Sequence, residues 1–568
     1  MSARALAAAL LLLAIAAPAG AEDRDRVSDA RLGRLSRDFL EGWRARRPHL
    51  ATRLGLHRDD ARLVPVTQSS LRTDLEWLQG LASRLDAVPR AGLAPADALE
   101  RDLLAARLAA ERAGIEVARR WERDPAAYLD LVGDGVASPL ERGAGSTCDR
   151  ARAITGRLEE APDVLRQARV NLRRPPRLLI EEALPGFERA LRLYRGDVPG
   201  LGIGCREPRT QADLAEADSA AVRAVEEFLD YLHADLQMQA DGPAALGPEA
   251  TRLLLEYAEM ESTPADTLIE RGRRELQEMR PRVAALSGRP EPGSPDTTLL
   301  HSDSLLVCFE RALTDIRTFL DTHAVVTLPR RERLRVRETA GDGAARAAGD
   351  PGAPLAALDA PGPFEERALD SWLAVAVPDT GAYRDPEGAR LGALDRGSVA
   401  IVALREGIPG RWLQALARRR APTPLMRATA CATATEGWAQ YAPQMMLEQG
   451  YGAGDPRCRR ALLEDLRREV ARCVVTLSIH AQGMTLDEAA AFLEREGPLA
   501  PAVAARAARR CAAGLEAAMP TLGRWRILDL RAEQQARLGA GFDLRAFHDA
   551  LLARGAIPLP LVRQALSR

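Results

Sequence analysis

Residues 462–477 read LLEDLRREVARCVVTL. Leu462, Leu466, Val470, Cys473 and Leu477 recur at steps of four and three, the spacing that aligns side chains along one face of an α-helix. Residues 71–85, LRTDLEWLQGLASRL, repeat the pattern with Leu71, Leu75, Leu78, Leu81 and Leu85. Near the end of the chain, Asp543 is placed to cap a helix through Leu544, Phe547 and Leu551, and Gly555 to close it. Alanine, leucine, arginine and glutamate fill the positions between, and all are good helix formers. The fold class that follows is mainly α.

Working outward, the pattern breaks in a few places. The run SGRPEPGSPDT after Leu286 and residues 340–363 are rich in glycine, proline and alanine and read as loop or linker. Short β-prone runs stand at 324–328 (AVVTL), 334–336 (LRV), 373–377 (LAVAV) and 398–404 (SVAIVAL). They predict a small sheet between the helical parts, its last strand leading into residue 405. The expected plan is a helical region over 22–245, a middle region with short strands over 246–339, a linker over 340–363, and a helical C-terminal region over 364–568.

The first residues set the compartment. Arg4 precedes an apolar core, ALAAALLLLAIAA over residues 5–17, too short to span a bilayer comfortably. Ala19-Gly20-Ala21 offers a small-x-small cleavage site before the polar run Glu22-Asp23-Arg24-Asp25-Arg26. This order predicts a secretory signal over residues 1–21 and a periplasmic or secreted protein with no later membrane span. No cysteine stands at the cleavage point, which argues against a lipid anchor.

Seventy-nine basic residues against 80 acidic ones leave a formal charge of -1, which gives no support for nucleic-acid binding. Every basic residue is arginine, and Asn171 is the single asparagine. In such a chain one more arginine carries little information by itself. The seven cysteines form no C-x-x-C pair, so no structural zinc site is indicated. Export permits disulfides, and the odd count leaves at least one thiol unpaired within the chain.

A zinc peptidase needs two neutral imidazoles and a carboxylate on the metal, and a further glutamate to take the water proton. The compact solution is H-E-x-x-H on a helix with a glutamate downstream. This chain has no His-Glu pair. It has Arg405-Glu406-Gly407-Ile408-Pro409-Gly410-Arg411-Trp412-Leu413-Gln414, and then Glu436-Gly437-Trp438-Ala439.

On these residues the chain resembles the bacterial family known as domain of unknown function 885, zinc peptidases with a mostly helical fold. The likeness extends to Pro48-His49-Leu50-Ala51-Thr52-Arg53-Leu54-Gly55-Leu56-His57, to Trp121–Leu129 and to Phe542–Asp549. It implies a large helical metallopeptidase-like fold with a small β element beside the motif helix. It also implies a general base at Glu406 and an acidic metal ligand at Glu436.

The departures fall on the metal site. The family's first histidine falls on Arg405, and its later pair on Arg411 and Trp412. A second glutamate of the downstream helix falls on Pro443, which also threatens a kink. An aspartate falls on Thr476, although His480 and Gly483 remain, and a later tyrosine falls on Pro520. Arginine stays protonated and has no lone pair to give a metal. The expectation is therefore a pseudopeptidase without catalytic zinc, with Glu406 a vestigial base and Glu436 a vestigial metal ligand. Arg405, Arg411, Tyr441 and His480 are the candidate binding residues for a peptide or protein.

Arg405 or Arg411 is expected to pair with Glu406 or Glu436, the guanidinium standing in for the lost cation. Two rivals stay open: a hydrolase holding a harder metal on Glu406, Glu436 and His480, and a scaffold whose old cleft is closed. Trp412 and Trp438 read first as packing residues. Cys431 has no histidine placed to activate it as a nucleophile.

Overall fold

The computed structural model describes residues 28–286, 302–339, 355–366, 370–377 and 395–567. The expected signal over residues 1–21 lies outside them, as does the first part of the expected linker.

Three long helices open the described chain, with a short one over Pro48–Arg53 between the first two: α1 (Ala30–Arg46), α2 (Gln68–Asp86) and α3 (Pro95–Ala113). In α2 the leucine spacing does what it predicts: Leu71, Leu78, Leu81 and Leu85 are buried, and Thr67 and Ser70 close a capping box at its start. Next come α4 (Thr147–Asn171), α5 (Arg177–Gly204) and α6 (Pro208–Tyr231). These share an apolar cluster of their own, which includes Ile154, Leu158, Phe187, Val225 and Phe228. A disulfide from Cys148 to Cys205 ties the first turn of α4 to the residue after α5. The other five cysteines are free thiols.

Helices α7 (Pro248–Glu259), α8 (Ala265–Leu286) and α9 (Ser302–Thr322) lead to a three-stranded sheet. Its strands are β1 (Leu334–Glu338), β2 (Ala356–Asp359) and β3 (Ser371–Val375), in the order β1-β3-β2. β1 runs parallel to β3, with Leu334 opposite Ser371, and β2 runs antiparallel to it, with Leu358 opposite Leu373. β2 lies inside the run read as linker; its alanines and leucine pair with β3.

Two of the expected strands are not strands. Residues 398–404 continue α10 (Arg396–Val402) into a wide helical turn over Ala403–Gly407. Asp395 caps this helix by accepting from the Ser398 backbone N–H at 2.8 Å. Val399, Ala400, Ile401, Ala403 and Leu404 are all buried, so the continuous apolar run belongs to a helix enclosed on most sides. A short apolar run does not distinguish that case from a buried strand. Residues 324–328 form an irregular link bonded largely to side chains of a distant helix. Val325 carbonyl accepts from His548, and Thr327 donates its backbone N–H and hydroxyl to Asp549.

The C-terminal part contains α11 (Arg411–Arg419), α12 (Ala432–Glu448) and α13 (Pro456–Gln482). After these come α14 (Leu486–Glu496), α15 (Pro501–Ala513), α16 (Met519–Leu538) and α17 (Leu544–Leu552). Residues 462–477 lie within α13, and Leu462, Leu466, Val470, Cys473 and Leu477 are all buried. The main core joins these helices to α1–α3, through residues such as Leu32, Phe39, Leu103, Trp412, Trp438 and Trp525. α12 and α16 cross at two glycines. A Cβ on Gly437 would lie 2.4 Å from the Gly523 backbone, and one on Gly523 would lie 1.8 Å from the Thr433 carbonyl. Glycine at both positions lets the backbones touch, and this holds Glu436 and Tyr441 against the motif. No described helix is long and apolar enough to cross a membrane.

Candidate functional site

The motif is a helix, a turn and a second helix. Arg405 and Glu406 ride the last wide turn that extends α10. The Ile408-Pro409 peptide is cis, and Gly410 brings the chain so close that a Cβ there would lie 2.0 Å from the Arg405 carbonyl. Arg411 then starts α11. The hairpin-like turn places Arg405, Glu406 and Arg411 side by side, facing α12 and α13.

There the five charges interlock. Arg405 Nε donates to Glu406 at 3.2 Å, and its Nη1 donates to Asp465 of α13 at 2.8 Å. Arg411 gives both terminal nitrogens to the two oxygens of Glu436, a bidentate fork. Its Nε stands 2.8 Å from the second Glu406 oxygen, near in charge but not aligned as a hydrogen bond. Gln440, one turn after Glu436, donates to the other Asp465 oxygen at 3.1 Å. Arg468 adds a third guanidinium 3.7 Å from Asp465, so three carboxylates face three cations.

Burial is uneven across it. The Glu406 and Asp465 side chains are 8% and 9% exposed, whereas Arg411 and Glu436 keep 31% and 28%. The deep half is therefore sealed, and the Arg411–Glu436 half reaches solvent. The charge of Asp465 raises the Arg405 pKa further; burial opposes this, and Glu406 adds to the rise. Burial pushes the Asp465 carboxyl up, but Arg405, Arg468, Gln440 and Arg472 together outweigh it and hold the group below the usual carboxylate range. Burial likewise works against Arg411, and the bond to Glu436 with the charge of Glu406 overcomes it. All three stay ionised at neutral pH.

Tyr441, also on α12, belongs to a second network built on a neutral tyrosine–histidine pair. Its hydroxyl meets His548 Nε2 at 2.8 Å, and Arg531 donates to the same hydroxyl at 3.3 Å. His548 Nδ1–H donates to the Val325 carbonyl at 2.8 Å, which leaves Nε2 to accept from the tyrosine. Burial pushes the His548 pKa down to about 4 and the Tyr441 pKa up to about 12. Trp438 packs against both rings and donates its indole N–H to the Pro409 carbonyl at 2.9 Å, joining this network to the motif turn.

His480 stands apart from both. Its Nδ1 accepts from the Leu246 backbone at 3.2 Å, and its Nε2–H faces the carbonyls of Cys511 and Gly514 at 3.1 and 3.3 Å. Burial lowers its pKa. It is a neutral core histidine that ties α13 to the chain before α7 and after α15. Cys431 donates its thiol to Glu259 at 2.8 Å, while Glu259 also accepts from the Thr433 N–H at the start of α12. Burial first, and then the Glu259 charge, raises the Cys431 pKa well above its usual value, so the thiol is not poised as a nucleophile.

The donor set does not fit a zinc ion. Both carboxylates of the expected base and ligand are engaged by guanidiniums, His480 is bonded to backbone away from them, and His548 is held between Tyr441 and the Val325 carbonyl. Among the described residues, the one group whose ligand atoms converge is Cys148, Cys205 and Glu207. Two of these are the disulfide, which cannot ligate as thiolates.

The sequence reading missed Asp465, Gln440 and His548 as parts of these networks. Asp465 and Glu469 are four apart on α13 and both buried. Acids at helical spacing inside an apolar stretch were the available signal. His548 lies in a quoted motif, but nothing local says that it reaches Tyr441, 107 positions away.

A family model described as bacterial protein of unknown function (DUF885) matches residues 48–566. Among curated proteins, none matches the chain. Two solved structures share its fold. A "putative lipoprotein of unknown function" from Shewanella oneidensis aligns with a TM-score of 0.79 at 22% identity, covering 94% of this chain and 100% of that one. A "putative lipoprotein" from Colwellia psychrerythraea aligns with a TM-score of 0.75 at 15% identity, covering 95% and 99%. At these identities the likeness establishes the fold alone.

Proposed function

We propose that this chain, which belongs to the DUF885 family of bacterial proteins, is an exported pseudopeptidase. In this reading the zinc-peptidase site has been rebuilt as a salt-bridge cluster, and the protein binds a peptide or protein partner without cleaving it. The observation that carries the proposal is the bidentate seat of Arg411 on Glu436, with Arg405 between Glu406 and Asp465. A fixed, always-charged guanidinium occupies each carboxylate that a metal or an attacking water would need. Glu406 accepts from Arg405 and faces Arg411 at 2.8 Å, so its oxygens are not free to take a water proton.

The exported location rests on the signal-like start of the chain, and two structural neighbours named as lipoproteins agree with an envelope setting. The partly exposed Arg411–Glu436 pair supports the binding role over a fully closed scaffold, because it leaves charged groups within reach of solvent.

The test measures metal in the purified mature protein and assays peptide and ester hydrolysis with and without added zinc or manganese. The expected result is no stoichiometric metal and no chelator-sensitive turnover; stoichiometric metal with such turnover would overturn the proposal. An Arg405→His/Arg411→His variant should gain divalent-metal binding but no turnover, since Pro443 and Thr476 stand where further site carboxylates are expected.

A further inference from the structure

α13 presents its two sides to different surroundings. Asp465 faces the charge cluster, while Leu462 and Leu466 face a wedge that opens between α8, α12, α13 and α16. The wedge has a volume of about 710 Å³, within the range of small-molecule sites. Its floor is apolar: Leu462, Leu466, Leu447, Leu528 and Met279.

Its polar wall is unbalanced. Glu275 is taken by Arg524, Glu448 by Arg531, and Arg271 is paired with Asp529. Arg274 and Arg282 of α8 and Arg459 of α13 line the same space and are exposed, and none pairs with a carboxylate among the described residues. Glu278, four positions from both Arg274 and Arg282, offsets one of these charges and leaves an excess of two. On the inner wall Arg524 is 2% exposed and bonded through its terminal nitrogens to Gln444 and Glu275, yet its buried Nε–H has no acceptor. A low-dielectric cleft with uncompensated charge of one sign concentrates ligands of the other sign.

We infer that this wedge binds an amphipathic anion, a carboxylate or phosphate head carrying an aliphatic chain, with the chain on the leucine floor and the head among Arg274, Arg282 and Arg459. The site is separate from the Arg405–Glu436 cluster and does not depend on its being catalytically silent.

The experiment titrates the mature protein by calorimetry with four probes, each below its micelle concentration. They are laurate, dodecyl phosphate, dodecyltrimethylammonium and inorganic phosphate. One or both dodecyl anions should bind at a single site, and comparing them tells a fatty-acid head from a phosphate-lipid head. The cation with the same chain and the phosphate without a chain should each bind at least about tenfold more weakly. Arg274→Glu/Arg459→Glu should weaken the anion at least about tenfold. Arg273→Glu, an exposed change on the same helix outside the wedge, should leave binding unchanged. If the double reversal does not fold, Arg274→Gln/Arg459→Gln gives the same reading. The inference is overturned if neither anion binds, if the cation binds as well, or if the arginine variants bind like the parent.

Discussion

Glu436 and Tyr441 stand on the same helix, five positions apart, and hand their polar ends to different kinds of partner. Glu436 meets a guanidinium, and around it Arg405, Glu406, Arg411 and Asp465 form ion pairs within the fold. Tyr441 meets His548, and that pair stays neutral, with a backbone carbonyl completing the chain of bonds. Both solve the problem of a buried polar atom. The charged solution depends on having both signs present, because a single buried ion left alone is costly. The neutral solution depends only on geometry, and its weak point is a proton arriving at His548.

The sharpest way to break this contrast is to remove one charge from the sealed half. Arg405→Met leaves buried Asp465 without its hydrogen-bonded cation, only the more distant Arg468 remaining at 3.7 Å, and unfolding by urea should show a loss of about 3 kcal/mol. Adding Asp465→Leu to that variant should recover much of the loss, since a buried pair can be replaced by well-packed apolar groups at little cost. A loss below about 1 kcal/mol for the single variant would mean that water reaches Asp465 and that the sealed half is not sealed.

The neutral network is tested with acid. His548 is held at about 4 in the folded protein, below its ordinary 6.5. The unfolded chain therefore takes up the proton first, and stability falls as the pH drops through that window. From about pH 6.5 to about pH 5 the loss from this residue should reach about 2 kcal/mol. His548→Gln, which can still accept from Tyr441 and donate to Val325, should flatten that limb. Parallel loss in the variant and the parent would contradict the assignment. His57 works in the opposite direction. Its bonds to Asp60 at 2.8 Å and Glu365 at 3.1 Å raise its pKa against the pull of burial. Its contribution is full below about 6.5 and fades as the pH rises through the raised value.

A smaller effect comes from Tyr441→Phe. It leaves His548 Nε2 without its donor and should cost about 1–2 kcal/mol in thermal or urea unfolding. Smallest is Arg411→Ala. Arg411 and Glu436 keep roughly a third of their side-chain surface in solvent, so water can take over the carboxylate. Its stability cost should stay near or below about 1 kcal/mol. An Arg411→Ala loss equal to that of Arg405→Met would erase the distinction between the sealed and open halves.

Much of the architecture was legible from spacing. The leucines of α2 and α13 and the Asp543 cap of α17 are local features, and they fold as they read, with Asp543 accepting from the Ala546 N–H. The run at 398–404 misled because apolar β-branched residues suit a buried helix as well as a strand, and Asp395 and Ser398 decide for helix. The link at 324–328 misled because its partners are the side chains of α17, more than 200 positions away.

The sequence by itself determined that Arg405 and Arg411 cannot ligate a metal and must find carboxylates, because a guanidinium has no lone pair and a buried charge needs an opposite one. Only the tertiary structure decided which carboxylates. The close turn at Gly410 and the glycine crossing of α12 and α16 bring Glu436 to Arg411 and leave Arg405 to Asp465. It also placed His480 in the backbone of the core and His548 against Tyr441. Pairings of this kind depend on distances between helices far apart in the chain, and no local spacing encodes them.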